Sequence, residues 1–157
     1  MGPGLLIKAL LQGSFSLMVF GWAQIVMDIQ PLLVMITGDG HLHGFSHTYI
    51  GAALLTVASA STGKYLSEFG LGFIGDKEFL PISWVVAFVS AAIGTFSHVL
   101  LDCVMHHDVE PFWPLTPDNA LVGVISIQDL QWVCIGSGLA GAVLYLVLAR
   151  RNNSLRA

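Results

Sequence analysis

Five residues with ligand-type side chains lie within or beside apolar stretches of this 157-residue chain. His98 and Asp102 are four residues apart in one apolar run, and His43 and His47 repeat that spacing at the start of another. Residues four apart share one face of a helix, so each pair can point in one direction. Asp28 lies in a third apolar run. Imidazole and carboxylate groups together suit zinc and similar divalent ions, so these residues predict a metal site.

Such groups are costly in hydrocarbon, where they usually face the interior of a helix bundle and have a partner. A structural interpretation remains open, in which His98 and Asp102 form a hydrogen-bonded pair that locks helix packing and Asp28 holds two helices together. Five candidate ligands are also more than one tetrahedral zinc ion requires. Either two ions are bound, or some of the five residues orient the ligands.

The composition indicates which element types must position these residues. Apolar residues make up 55% of the chain and charged residues only 10%, and the mean hydropathy is strongly positive. This balance excludes an ordinary soluble globular protein and predicts an integral membrane protein. We expect the lipid bilayer as a partner and no nucleic acid.

The apolar runs predict an all-α membrane bundle, with the whole chain, 1–157, forming one domain. Four runs are long enough to cross a bilayer, at about 14–36, 46–62, 83–106 and 128–149. Short interfacial helices are possible at 3–12 and 119–127. The polar stretch from 62 to 80 reads as a solvated connection that could hold a short surface helix at 65–73. In the last span, Gly136, Gly138 and Gly141 permit close helix contact.

The charges separate clearly in this four-span arrangement. Every basic residue falls on one side of the membrane, namely Lys8, Lys64, Lys77, Arg150, Arg151 and Arg156. The positive-inside rule makes that side cytoplasmic, together with both termini. All six histidines fall toward the other side, so the metal site is expected at the outer or periplasmic face.

Four short motifs carry a family resemblance. They are Asp28-Ile29-Gln30-Pro31, His43-Gly44-Phe45-Ser46-His47-Thr48, Ser97-His98-Val99-Leu100-Leu101-Asp102 and Pro111-Phe112-Trp113-Pro114. In these the chain resembles the predicted membrane-bound metal-dependent hydrolases of bacteria and archaea, whose pattern is an Asp, a His-x-x-x-His and a His-x-x-x-Asp. The resemblance implies a protein of the cell, or inner, membrane. It also implies that Asp28, His43, His47, His98 and Asp102 bind the metal and that the activity is hydrolysis.

One departure from the family pattern concerns the start of the chain. Related chains carry a Thr-Pro-x-His stretch just before Gly-Pro-Gly, whereas here Met1 stands directly before Gly2. If that upstream histidine is a ligand in the family, we expect the site in this chain to lack it.

A metal at this site, one or two ions and zinc by preference, would lower the pKa of bound water to about 7. Asp102, or whichever of Asp28 and Asp102 is not a ligand, could then act as the general base. Four residues follow at the helix end and could supply a proton to the leaving group, namely His106, His107, Asp108 and Glu110. An exposed polar loop is the alternative. The location suggests a lipid-like ester or phosphoester as the substrate.

Two other functions fit part of the pattern. A b-type haem protein would use His47 and His98 as axial ligands, but the neighbouring carboxylates argue against it. A metal-binding transporter would also place His and Asp residues inside a bundle, although four spans are few for one.

Overall fold

Five α-helices make up the fold in the computed structural model, which describes residues 2–75 and 80–156. They are α1 (Gly2–Leu11), α2 (Leu17–Thr37), α3 (Tyr49–Phe73), α4 (Trp84–Met105) and α5 (Ile127–Arg156). Short 3-10 turns lie at Gln12–Ser14 and Phe45–His47, and the described ranges contain no strand. Lys77 and the side chain of Arg156, which belong to the predicted charge pattern, lie outside the described residues.

A hydroxyl cap begins each of the three helices that carry or adjoin the candidate ligands. Ser16 accepts a hydrogen bond from the backbone N–H of Val19 before α2. Thr48 caps α3 and Ser83 caps α4 in the same way. A cap of this kind satisfies one of the free N–H groups of the first turn, so these side chains fix where each helix starts.

Small residues bring α2, α3 and α4 close together. One buried cluster, which contains Ala23, Ala60, Ala87 and Ala91, lies toward the start of α4. A second cluster packs around the candidate ligands and consists of Met27, Ala52, Val99, Cys103 and Val109. The small side chains allow the three backbones to approach, which is how helices associate in a bilayer.

Three helices, α2, α4 and α5, are long and apolar enough to cross a membrane. The second predicted span, 46–62, corresponds to α3, which is not confirmed as a span because this helix is too polar. The predicted end of that helix near residue 62 is wrong, since α3 continues to Phe73 and includes the supposed surface helix. Lys64 and Glu68 form an ion pair one turn apart, and Glu68 also accepts the N–H of Ile82. This pairing allows charged residues to continue the helix instead of ending it.

The segment predicted as a helix at 119–127 forms turns instead, and α5 begins only at Ile127. Asn119 donates its side-chain amide to the carbonyl oxygens of Cys103 and His106. Gly123, with a φ of 71°, donates its N–H to Val104. The segment is therefore held as a cap on the last carbonyl groups of α4, which a regular helix could not satisfy.

The two terminal helices pack against each other. α1 lies along α5, and its main contact in the fold is with that helix. A side chain at Gly138 or Gly141 would meet the α1 backbone, so the prediction of close contact there is confirmed. Gly136 has open space around it, and for that residue the prediction was wrong.

Candidate metal centre

Four side chains from three elements meet near one end of the α2–α4 bundle. Asp28 comes from α2, His98 and Asp102 from successive turns of α4, and His47 from the 3-10 turn before α3. Asp102 Oδ2 lies 3.1 Å from Nε2 of His47 and 3.1 Å from Nε2 of His98. Asp28 Oδ1 lies 3.2 Å from Nε2 of His98. We refer to these four residues as the inner cluster.

The spacing of these atoms is compatible with a small divalent ion. Ligand atoms at about 2.0–2.1 Å from a tetrahedral zinc ion lie roughly 3.3 Å from one another. Neighbouring ligand atoms of the inner cluster are separated by 3.1–3.2 Å. The donor set, two imidazole nitrogens and two carboxylate oxygens, is one that zinc accepts.

The orientation of His98 is set by an amide from α2. Gln24 donates its side-chain N–H to the carbonyl oxygen of Gly94 at 2.9 Å, which leaves its own oxygen as an acceptor. That oxygen lies 2.9 Å from Nδ1 of His98, so Nδ1 carries the proton. In the neutral ring, the lone pair of Nε2 therefore points at the oxygens of Asp28 and Asp102. Acceptors that face each other at this distance need a positive charge between them, either a metal ion or a second proton on the ring.

His47 presents the same problem more sharply. Its side chain is 0% exposed, and Ser46 hydrogen-bonds to its Nδ1 at 2.9 Å. Nε2 has no partner with hydrogen-bond geometry among the described residues, although Asp102 lies close. A buried nitrogen left without a hydrogen bond is uncommon and calls for an explanation, such as an ion. The inner cluster therefore fits a metal ion.

The turn that carries His47 is fastened to α2 and to the loop after α4. Gln30 accepts the N–H of Ser46 at 2.8 Å. Gly44 lies against the Gln30 amide, where a side chain would collide with it. Tyr49 donates its N–H to the carbonyl of Pro111 at 2.9 Å. His47 is thus positioned by contacts on two sides, as a ligand must be.

A second group of polar side chains lies beside the inner cluster. Nδ1 of His43 is 2.9 and 3.0 Å from the two oxygens of Asp108, and the ring of His106 stacks on His43 at 4.3 Å. Ligand atoms of these three residues lie within 4.8 Å of one another. We refer to His43, His106 and Asp108 as the outer cluster. Burial alone would raise the pKa of the Asp108 carboxyl, but the hydrogen bond and charge of His43 outweigh it and lower that pKa.

His43 connects the two clusters. Its ring lies 5.0 Å from that of His47, and ligand atoms of His43, His47 and Asp102 also fall within 4.8 Å of one another. The sequence pattern left open whether His43 comes from a helix or a loop, and it comes from the turn between α2 and α3.

A cavity of about 360 Å³ opens at this end of the protein. It is lined by His41, His43, Gly44, Phe45, Thr48, Asp108, Glu110 and Trp113. Two outer-cluster residues, His43 and Asp108, belong to this lining, whereas no residue of the inner cluster does. Glu110, a predicted catalytic residue, lies in the cavity wall and in neither cluster.

The structure places each predicted site residue in this region. The five predicted ligands lie in the two clusters, four in the inner one and His43 in the outer one. Gln24 was not among the predicted site residues, and Asp108 was predicted as a proton donor and not as a ligand. Gln24 gave one signal, since an amide one helical turn before Asp28 in an apolar run lies on the same face.

A family model described as YdjM inner membrane protein matches residues 10–155, nearly the whole chain. The chain belongs to this family. The description of the YdjM family names an inner membrane location and no reaction, so it supports a membrane protein but gives no evidence of a metal-dependent hydrolase. No curated protein and no solved structure matches the chain.

Proposed function

We propose that this YdjM-family protein is a membrane-embedded metal-dependent hydrolase of ester or phosphoester bonds, with its metal in the inner cluster. The observation that carries the metal is the arrangement around His98, whose Nδ1 proton is committed to Gln24 while Nε2 faces two carboxylates. The buried, unbonded Nε2 of His47 supports the same conclusion. Zinc is the proposed ion because two imidazoles and a carboxylate suit it, with Asp102 3.1 Å from each ring nitrogen, and three such ligands leave a fourth position for water.

The proposed division of roles follows from exposure and contacts. Asp102 touches both histidines, so we assign it to hold the ion. Asp28 touches only His98 and its side chain is 60% exposed, so it is the carboxylate free to accept a proton from water. A zinc ion in this site would supply a water acidic enough to attack at neutral pH. Glu110, in the cavity wall on the outer side, is proposed to return a proton to the leaving group.

The proposed topology has four spans. α3 begins next to His47, at the metal end of α2 and α4. Its second half approaches the start of α4, where the ring of Tyr65 contacts that of Trp84. α3 thus runs from the end of α2 to the start of α4, so it must cross the same thickness of membrane as these two helices despite its polar residues. With the basic residues cytoplasmic, this topology puts both termini in the cytoplasm and the metal on the periplasmic side.

A lipid-like substrate is proposed from the surroundings of the cavity. Phe45 and Trp113 line it and contact each other edge to face, and both are substantially exposed. Exposed aromatic rings are typical of the headgroup level of a bilayer. A substrate held there would keep its polar bond near the clusters.

The alternative of a b-type haem gains no support from this geometry. The rings of His47 and His98 meet edge to face at 5.2 Å and share Asp102. Axial ligands must face each other across a porphyrin, and these rings leave no slot for one.

Metal analysis of the purified protein tests the proposal. We expect wild-type protein to retain zinc, and His47→Ala and His98→Ala to lose it while remaining helical by circular dichroism. His107→Ala is the matched control, because His107 lies in neither cluster. Unchanged metal content in both cluster variants would overturn the metal site.

Activity is tested separately with a panel of lipid esters and phosphoesters. Cleavage of one of these substrates by the wild type, lost in His47→Ala and His98→Ala, would support hydrolysis. Metal flux into proteoliposomes without cleavage would instead identify a transporter.

A further inference from the structure

We infer that the outer cluster is a second divalent-cation site, and that a substrate in the cavity meets its ion before it meets the inner one. This inference rests on the proposed function and assigns roles within the same centre. The three outer residues offer two imidazoles and one carboxylate, with ligand atoms within 4.8 Å of one another. That donor set is sufficient for an ion that keeps a fourth position for water or substrate.

The outer cluster has the exposure expected of a substrate-facing site. The His43 side chain is 9% exposed, which shields its ring, whereas Asp108 is 51% exposed. A half-shielded carboxylate beside a buried imidazole can bind an ion while one side remains open to water. Catalytic sites need that open side, in contrast to closed structural ones.

The lining of the cavity distinguishes the two clusters. His43 and Asp108 form part of its wall, together with Glu110, whereas Asp28, His47, His98 and Asp102 do not. A molecule in this cavity therefore reaches the outer cluster first. Asp28 of the inner cluster is also exposed, but it does not line this cavity.

The position of the residues along the chain supports the same distinction. His43 lies in the turn after α2, and His106 and Asp108 follow the end of α4. The outer ligands therefore all come from connections at the polar end of the bundle, whereas the inner ligands Asp28, His98 and Asp102 come from the helices themselves. An ion in the outer cluster can exchange with the aqueous phase without crossing hydrocarbon.

His43 couples the two sites. A ring nitrogen of His43 lies within 4.8 Å of ligand atoms of His106 and Asp108. A ring nitrogen of His43 also lies within 4.8 Å of ligand atoms of His47 and Asp102 in the inner cluster. Paired metal sites that share neighbouring ligands are known to clamp the attacking and leaving oxygens of one reaction. The two clusters are therefore proposed to act on one substrate.

The test is the metal stoichiometry of full-length protein purified in detergent and loaded with zinc. We expect two ions per chain in the wild type and one in His106→Gln and in Asp108→Asn. Asp118→Asn is the matched control, because Asp118 is an exposed carboxylate in the same loop that hydrogen-bonds to Thr116 and belongs to neither cluster. It should keep two ions. Cobalt loading gives an independent readout. The visible absorption of bound cobalt should decrease in His106→Gln and Asp108→Asn and stay unchanged in the control.

The possible results are distinguishable. Two ions retained in His106→Gln would overturn the outer site, and would mean that Asp108 only orients His43. One ion in the wild type, lost in His98→Ala but kept in both outer variants, would overturn this inference while leaving the inner metal intact. No ion in the wild type would overturn the proposed function as well.

Discussion

Gln24 and His98 are joined across the interface of α2 and α4 by a hydrogen bond of 2.9 Å from the ring N–H to the amide oxygen. The other end of the amide is bonded to the backbone of Gly94, so it cannot rotate without losing that contact. The bond fixes which nitrogen of His98 carries the proton and aims the other at two carboxylates. A residue that touches no ion therefore sets the direction of a proposed ligand.

Replacing Gln24 with leucine should lower metal affinity about 10- to 100-fold, as is common when a partner that orients a ligand is removed. The side chains have similar size, so packing should change little. Zinc titration against a competing chelator measures the effect. Gln131→Leu, at an exposed position on α5, is the control and should bind zinc like the wild type. Equal affinities for both variants would show that Gln24 does not position His98.

Gly94 should tolerate no side chain. An added Cβ would lie 2.9 Å from the Cβ of Ala23 and 3.3 Å from the Gln24 amide nitrogen. We expect Gly94→Ala to reduce stability by about 1–3 kcal/mol, the usual range for overpacking, and to weaken zinc binding. Thermal unfolding in detergent measures the first effect. Gly136→Ala, where the structure has open space, should be neutral or slightly stabilising, and equal losses in both variants would contradict the predicted contact.

Bound metal should be released as the pH falls. Imidazole binds zinc only in its neutral form, so protons compete with the ion for both histidines of the inner cluster. Protein dialysed at about pH 5 should retain less zinc than protein dialysed near neutrality, and neutral buffer with zinc should restore the content. Metal that stays bound under acid conditions would indicate ligands other than histidine.

Thiol labelling should reveal that α3 crosses the membrane. In a background with Cys103 and Cys134 replaced by serine, Leu42→Cys precedes α3 and Ile74→Cys follows it, and both positions are exposed. In intact spheroplasts an impermeant reagent should modify the first and not the second. Labelling of both positions would place both ends of α3 on one side.

The helices and the ligands differed in how far the sequence could predict them. α2 and α4 were predicted within a few residues, because each corresponds to an apolar run long enough to cross a bilayer. The end of α3 was missed because Lys64 and Glu68 were interpreted as solvated charges, and only the fold shows them paired. The turns after Asn119 were missed because their hydrogen bonds are made with the end of α4, and a local sequence pattern does not indicate such distant contacts.

The candidate site shows the same limit. A spacing of four predicted that His98 and Asp102 share a face, and their atoms are 3.1 Å apart. Gln24 lies 74 residues from His98 in the chain, and no periodicity links them. The five predicted ligands remain predictions until metal is measured, but their convergence from separate elements is a property of the fold.

The packing of α1 along α5 has a consequence for how the protein responds to the thickness of its membrane. Most of the outer surface of α5 is apolar and exposed, and α1 is its main protein neighbour. The tilt of α5 should therefore follow the thickness of the surrounding bilayer, since a long apolar helix adapts to mismatch by leaning. The two clusters are built from α2, α4 and the connections beside these helices. They should therefore keep their geometry when membranes of different thickness change the tilt of α1 and α5.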